Sequence, residues 1–266
     1  MWSEGNTSHL QYVNCRCKHL HSSRIRVVSL VSTILSKEEH MDITYEQTFN
    51  GYPINTDREK GMGCYTKGLA ILQDKLESMI ENHSKVLVTR VDLRYPQDGS
   101  VEPSSNDFTL FNKNLTRDLE RNNILPETGR LRGKKRDESN KTPKHQVDPS
   151  VTIVCEKHGE DKNPHAHVIV MVNGNAKRDP RDVQKRASRA WEAALGVENG
   201  SGLVHYCKKS HFLDRTSPDF QQAVHDSFYH NSYPFKIRGK EHRCKGSWLV
   251  RGTRGSKRDK AESNPS

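Results

Sequence analysis

The stretch at residues 152–172, "TIVCEKHGEDKNPHAHVIVMV", constrains the fold more than any other. Two short apolar runs flank a polar loop, and the second run opens on two histidines one residue apart. Apolar runs of this length, rich in Val and Ile and bounded by Gly, Asn and Pro, predict strands at 151–156 and 165–172. Successive residues of a strand point to opposite faces, so His165 and His167 project side by side. A hairpin between the two strands would set Glu156 opposite or diagonal to His165, within reach of the same point. Two neutral imidazole nitrogens and one carboxylate suit Mn²⁺ or Mg²⁺ when an anionic substrate supplies the remaining oxygens. The pattern HxH also recurs by chance, so spacing leaves a metal site and an ordinary histidine pair both open. A cupin-type metalloenzyme is disfavoured, because its Glu follows the histidines and "HVIVMVNGN" contains none.

The elements around this hairpin are expected to alternate between helix and strand. Leu69, Leu72, Leu76, Met79 and Ile80 recur at helical steps. "KVLVTRVDLRYP" then alternates, with Leu87, Thr89, Val91 and Leu93 on one face and Arg90, Asp92 and Arg94 on the other, and Pro96 ends the strand. Phe108, Phe111, Leu115 and Leu119 mark a second amphipathic helix. A third is bounded by Asp179 as N-cap, Pro180 in the first turn and Gly196 as stop.

Composition adds the partner class. The chain has 266 residues, a net charge of +10 and a pI near 9.3, which favours a polyanion, nucleic acid before an anionic membrane. A hydrophobic content of 32% and a mean hydropathy of −0.91 are low, so one core domain with polar extensions is expected. That domain is placed at 41–255. Residues 1–40 read as a poorly ordered or upstream extension, 129–146 as a basic insertion and 256–266 as a disordered basic tail. "CRCKHLH" alternates Cys and His, but structural zinc ligands are paired at wider spacing and a second pair is missing. The six cysteines form no CxxC pair, which fits a reducing, cytoplasmic compartment. No run approaches the roughly 18 apolar residues that span a bilayer.

A metal that holds phosphate calls for a nucleophile. In "HYCKKS", Tyr206 and Lys209 stand at a spacing that would share one face of a helical turn. Lys209 would place positive charge beside the tyrosine or the phosphate. "YPFK" repeats the spacing at Tyr233 and Lys236, but Pro234 argues against a helix there, and Tyr229 is a spare.

The order "VTRVDLRYP", then Glu156 and "PHAHVIVMVNGNA", then "YCKKS", resembles the HUH superfamily of rolling-circle replication initiators. Within that superfamily the chain is most similar to the inovirus-type replication protein, the YagK/YfjJ C-terminal domain family. The resemblance implies an α+β fold, a palm of about five antiparallel strands with flanking helices. It also implies a nickase for single-stranded origin DNA that works with a host helicase and polymerase. His165 and His167 then match the paired metal ligands, Glu156 the acidic ligand, Tyr206 the nucleophile and Lys209 its neighbouring cation. Arg90, Arg94 and the basic segment around Lys134, Lys135 and Arg136 would contact phosphates and make binding salt-sensitive. Two rival functions keep the same fold: a non-catalytic DNA-binding prophage remnant, and a mobilisation relaxase or transposase with the same chemistry.

Overall fold

The computed structural model describes residues 42–104, 106–121, 145–156, 163–237 and 250–252. All of them belong to one compact unit, 41–266. The extension 1–40, nearly all of the basic insertion including Lys134, Lys135 and Arg136, and the tail 256–266 lie outside the described residues.

Short paired strands open the unit: β1 (Ile43–Thr44), β2 (Thr48–Phe49), β3 (Tyr52–Pro53) and β4 (Cys64–Tyr65). Helix α1 (Thr66–Asn82) and strand β5 (Lys85–Arg94) follow, then α2 (Asp107–Arg121) and the hairpin β6 (Ser150–Glu156) and β7 (His165–Asn173). Helix α3 (Pro180–Leu195), strands β8 (Val204–Tyr206) and β9 (His211–Asp214), helix α4 (Phe220–Ser232), a 3₁₀ turn (Tyr233–Phe235) and β10 (Val250–Gly252) complete the described chain. The main sheet is antiparallel, in the order β10–β6–β7–β5, with β8 and β9 sharing the fifth position along the outer edge of β5. The architecture is therefore α+β, a five-position antiparallel sheet with flanking helices.

Strand alternation gives each face its own core. Leu87, Val91 and Leu93 of β5 and Val168 and Val170 of β7 pack beneath α2 and α3. Val86, Val88, Val154, Ile169 and Met171 pack beneath α1 and α4. Helix α3 of the first face ends as its sequence dictates. The Asp179 side chain accepts from the Arg181 amide, and Gly196 closes α3 in the left-handed region at φ 69°. Trp191 of α3 stacks on Phe108 at 5.4 Å between centroids and donates its indole N–H to the Arg94 carbonyl at 2.8 Å. That bond ties the end of β5, where Asp92 and Arg94 sit, to the core beneath it.

On the second face, Gly68 of α1 lets the helix approach Phe235, which is fully buried. A Cβ at position 68 would fall inside van der Waals contact with the Phe235 ring. Gly68→Ala is expected to lower stability by about 1–3 kcal/mol through overpacking, despite alanine's better helix propensity. Denaturant unfolding at unchanged slope would report it.

Candidate functional site

The site is built where four strands bring polar side chains to the α1/α4 face. Glu156 is directly opposite His165, and His167 opposite Val154, across the β6–β7 ladder. On the other flank of β7, Asp92 lies opposite His167 and Arg94 opposite His165. Farther out, His205 of β8 lies opposite Asp92.

Glu156 Oε2 lies 3.1 Å from His165 Nε2 and 2.9 Å from His167 Nε2. The three residues offer ligand atoms that all fall within 4.8 Å of one another. The opposite nitrogen of His167, Nδ1, donates to Asp92 Oδ1 at 2.6 Å. Burial works against a charge on His167, but its hydrogen bonds to Asp92 and Glu156 and their negative charge outweigh it and hold the imidazole above its ordinary range. Burial likewise pushes Asp92 up, yet the bond to His167, with Arg90 and His205 nearby, holds its carboxyl below the usual range. The site thus favours positive charge at the Nε2 atom of His167, where a proton or a metal ion would sit. The donor set of one carboxylate and two imidazoles fits a divalent ion, with Asp92 orienting the inner histidine from behind.

The structure does not bring the sequence-predicted nucleophile to this place. Residues 204–206 form a strand, so the expected helical turn linking Tyr206 to Lys209 is absent. Tyr206 lies opposite Val91, on the α2/α3 face, and its hydroxyl is 2.7 Å from Ser188 Oγ of α3. The sheet itself separates it from Glu156, His165 and His167. Lys209 follows in the exposed connection to β9, and its charge acts on His211 and His230.

Tyr233 occupies the place expected of Tyr206. Its ring is 6.0 Å from that of His167 in an edge-to-face arrangement. Arg90 stands over it at 5.6 Å and Lys236 at 5.3 Å. Pro234, read in the sequence as a helix breaker, falls in the first turn of the 3₁₀ segment, where its missing N–H is harmless. A 3₁₀ turn eclipses positions three apart, which brings Lys236 above the Tyr233 ring. Buried Phe235 and the pairing of Lys236 with Cys64 hold that turn down. Tyr233 itself has helical dihedrals, so Tyr229, one turn earlier on α4, shares its side, and both are exposed.

Arg90 fills the ground between the clusters. Its Nε donates to Cys207 Sγ at 3.1 Å and its NH1 to the His230 carbonyl at 3.2 Å. Arg94, at the end of β5, is exposed beside His165. His230 faces His211, with ring nitrogens 3.3 Å apart. Burial, then the charges of Arg90, His211 and Lys209, pull His230 down to about 4 from 6.5. Between those values the unfolded chain binds a proton that the folded chain refuses, so stability should rise with pH across this window and fall on acidification through it. His230→Gln is expected to flatten that slope relative to the native chain, as read by unfolding at several pH values.

Among the described residues no helix is long and apolar enough to cross a membrane. No curated protein and no solved structure matches the chain. A family model does match, over residues 44–246, a span that includes the strands and helices carrying this site. By that match the chain belongs to the YagK/YfjJ C-terminal domain family.

Proposed function

We propose that the protein is a metal-dependent enzyme of the HUH type that nicks and rejoins single-stranded DNA, initiating rolling-circle replication of a phage- or plasmid-like element. The observation that carries this reading is Tyr233, set 6.0 Å from the ring of His167 with Arg90 and Lys236 over its own ring. A tyrosine, two cations and a carboxylate–histidine cluster on one face of the sheet are the groups that phosphodiester transesterification needs.

Glu156, His165 and His167 would hold Mn²⁺ or Mg²⁺. When bound, the ion would counter charge on the scissile phosphate and polarise it. Asp92 keeps the His167 ring turned so that Nε2 faces the ligand point. Arg90 and Lys236 would neutralise phosphate oxygens, and Arg94 would contact the flanking backbone. The Tyr233 hydroxyl oxygen forms the new bond to phosphorus as the bond to the 3′ oxygen breaks. The phenol proton ends on that 3′ oxygen, leaving a 5′-phosphotyrosine and a free 3′ hydroxyl for a host polymerase. Tyr229, one turn away, is the natural acceptor for a second transfer. The target strand has to be unpaired to enter, so a host helicase is the expected partner.

The test is to incubate the full chain with labelled single-stranded DNA from its own element, with and without Mn²⁺. A covalent protein–DNA band on a denaturing gel that disappears with chelator supports the reading. DNA binding without an adduct at any metal concentration would instead indicate the non-catalytic DNA-binding remnant. Rejoining of a transferred strand from a conjugative or transposon end, but not from a replication origin, would move it to the relaxases or transposases.

A further inference from the structure

We infer that Asp92, His205 and Cys207 form a second divalent-metal site, suited to zinc, immediately behind the Glu156–His165–His167 cluster. The inference stands on ligand geometry and does not rest on DNA nicking.

Strand β5 and the end of β8 converge to make it. Asp92 and His205 are opposite one another across the β5–β8 ladder. Cys207, two residues beyond His205, returns to the same face, and its amide donates to the Arg90 carbonyl at 3.2 Å. One ligand atom from each of the three residues lies within 4.8 Å of the other two. Cys207 Sγ is 3.8 Å from Asp92 Oδ2 and 3.9 Å from Oδ1. Tetrahedral zinc with ordinary Zn–S and Zn–O bonds separates those atoms by about 3.6 Å, so only a small closure is required.

The donor types distinguish this site from its neighbour. One sulfur, one imidazole and one carboxylate suit Zn²⁺, whereas the neighbouring set of one carboxylate and two imidazoles lacks the soft thiolate that Mg²⁺ and Mn²⁺ bind poorly. Cys207 is buried, Asp92 half-buried and His205 exposed, which leaves an approach from solvent and an open fourth position for water.

Arg90 now supplies the positive charge at this spot. Its Nε lies 3.1 Å from Cys207 Sγ and 3.7 Å from Asp92 Oδ1. Metal coordination would release the thiol proton to solvent and free the Arg90 Nε–H, while the guanidinium stays near Tyr233. Asp92 Oδ1 is already taken by His167 Nδ1, so Oδ2 is the oxygen offered to the ion. A cation on Oδ2 drains charge from the carboxylate that orients His167. Occupancy of the second site should therefore weaken metal binding at the first, and reciprocally.

Cobalt(II) is the probe, because thiolate coordination gives it a near-ultraviolet charge-transfer band that oxygen and nitrogen ligands do not. The native full-length chain is expected to show this band, and Cys207→Ser to lose it while still binding one Mn²⁺. His205→Ala should also weaken the band. Cys155→Ser, which removes the thiol next to Glu156, should keep it, as should His165→Ala. Zinc should also slow iodoacetamide modification of Cys207 in the unmutated chain, a readout that needs no variant to fold. Absence of the band, its survival in Cys207→Ser, or alkylation of Cys207 at the same rate with zinc would each overturn the site.

Discussion

Tyr233→Phe is expected to abolish the covalent protein–DNA adduct, whereas Tyr206→Phe should leave it at the level of the native chain. The two tyrosines stand in the same YxxK spacing, at Lys209 and Lys236, so this pair of variants asks whether spacing or the sheet selects the nucleophile. Tyr206 has the wrong face. Its register partner Val91 belongs to the core under α2 and α3, and its hydroxyl pairs with Ser188 there. Removing that exposed hydroxyl should change stability by about 1 kcal/mol or less. Tyr233 shares its surface with His167, Arg90 and Lys236. Phenylalanine keeps the ring, its contact with His167 and both cation–π contacts, and deletes only the hydroxyl. Loss of a nucleophile can reduce turnover on the order of 10⁶-fold, which would put an adduct far below detection. Metal binding should be unaltered in the same preparation. Tyr229→Phe is expected to spare the first adduct and to slow the transfer that follows. An adduct that survives Tyr233→Phe and disappears in Tyr206→Phe would mean that the DNA reaches the opposite face of the sheet, and the site described here would be wrong.

The contrast between those tyrosines also shows what the sequence could carry. The long strands were legible because alternation needs only a few residues: Arg90, Asp92 and Arg94 do share a face, and Glu156 does stand opposite His165. Helix α3 was legible from its ends, since Asp179 and Gly196 act through local backbone chemistry. Strand β8 spans only Val204–Tyr206, too short to show a period, and a three-residue spacing there mimicked a helical turn. Pro234 does not disrupt its segment, because proline breaks a helix interior but starts a turn without penalty. Asp92 and His205 are far apart in the chain, and only the β5–β8 register joins them. Nothing local in the sequence announces such a pair. The signal for Asp92 was nevertheless present: a carboxylate between Arg90 and Arg94 on the polar face of β5, the face shared by both histidines.

Asp92→Ala should weaken Mn²⁺ binding at Glu156, His165 and His167 by about 10–100-fold, the usual effect of deleting the partner behind a metal-ligating histidine. The reason lies in the two ring nitrogens of His167. Asp92 takes the Nδ1 proton at 2.6 Å, which fixes the tautomer with Nε2 directed at Glu156. Without that acceptor the ring can rotate or exchange its proton between nitrogens, and the nearly buried Nδ1–H is left to find another partner. Asp92→Asn tests the electrostatic share separately. An amide oxygen can still accept from Nδ1, so orientation persists, while the lost negative charge makes the imidazole a poorer ligand; the decrease should be smaller than for alanine. A purely structural role would give similar losses of thermal stability without this ordering of Mn²⁺ affinities. Both Asp92 variants should in addition lower the cobalt–thiolate signal, since Oδ2 belongs to the second cluster, whereas Cys207→Ser should remove that signal and leave Mn²⁺ affinity close to native. Titration of Mn²⁺ by electron paramagnetic resonance, run beside the cobalt spectra, separates the two roles of the one carboxylate. Equal Mn²⁺ affinity in native, Asp92→Asn and Asp92→Ala chains would show that His167 needs no support from β5.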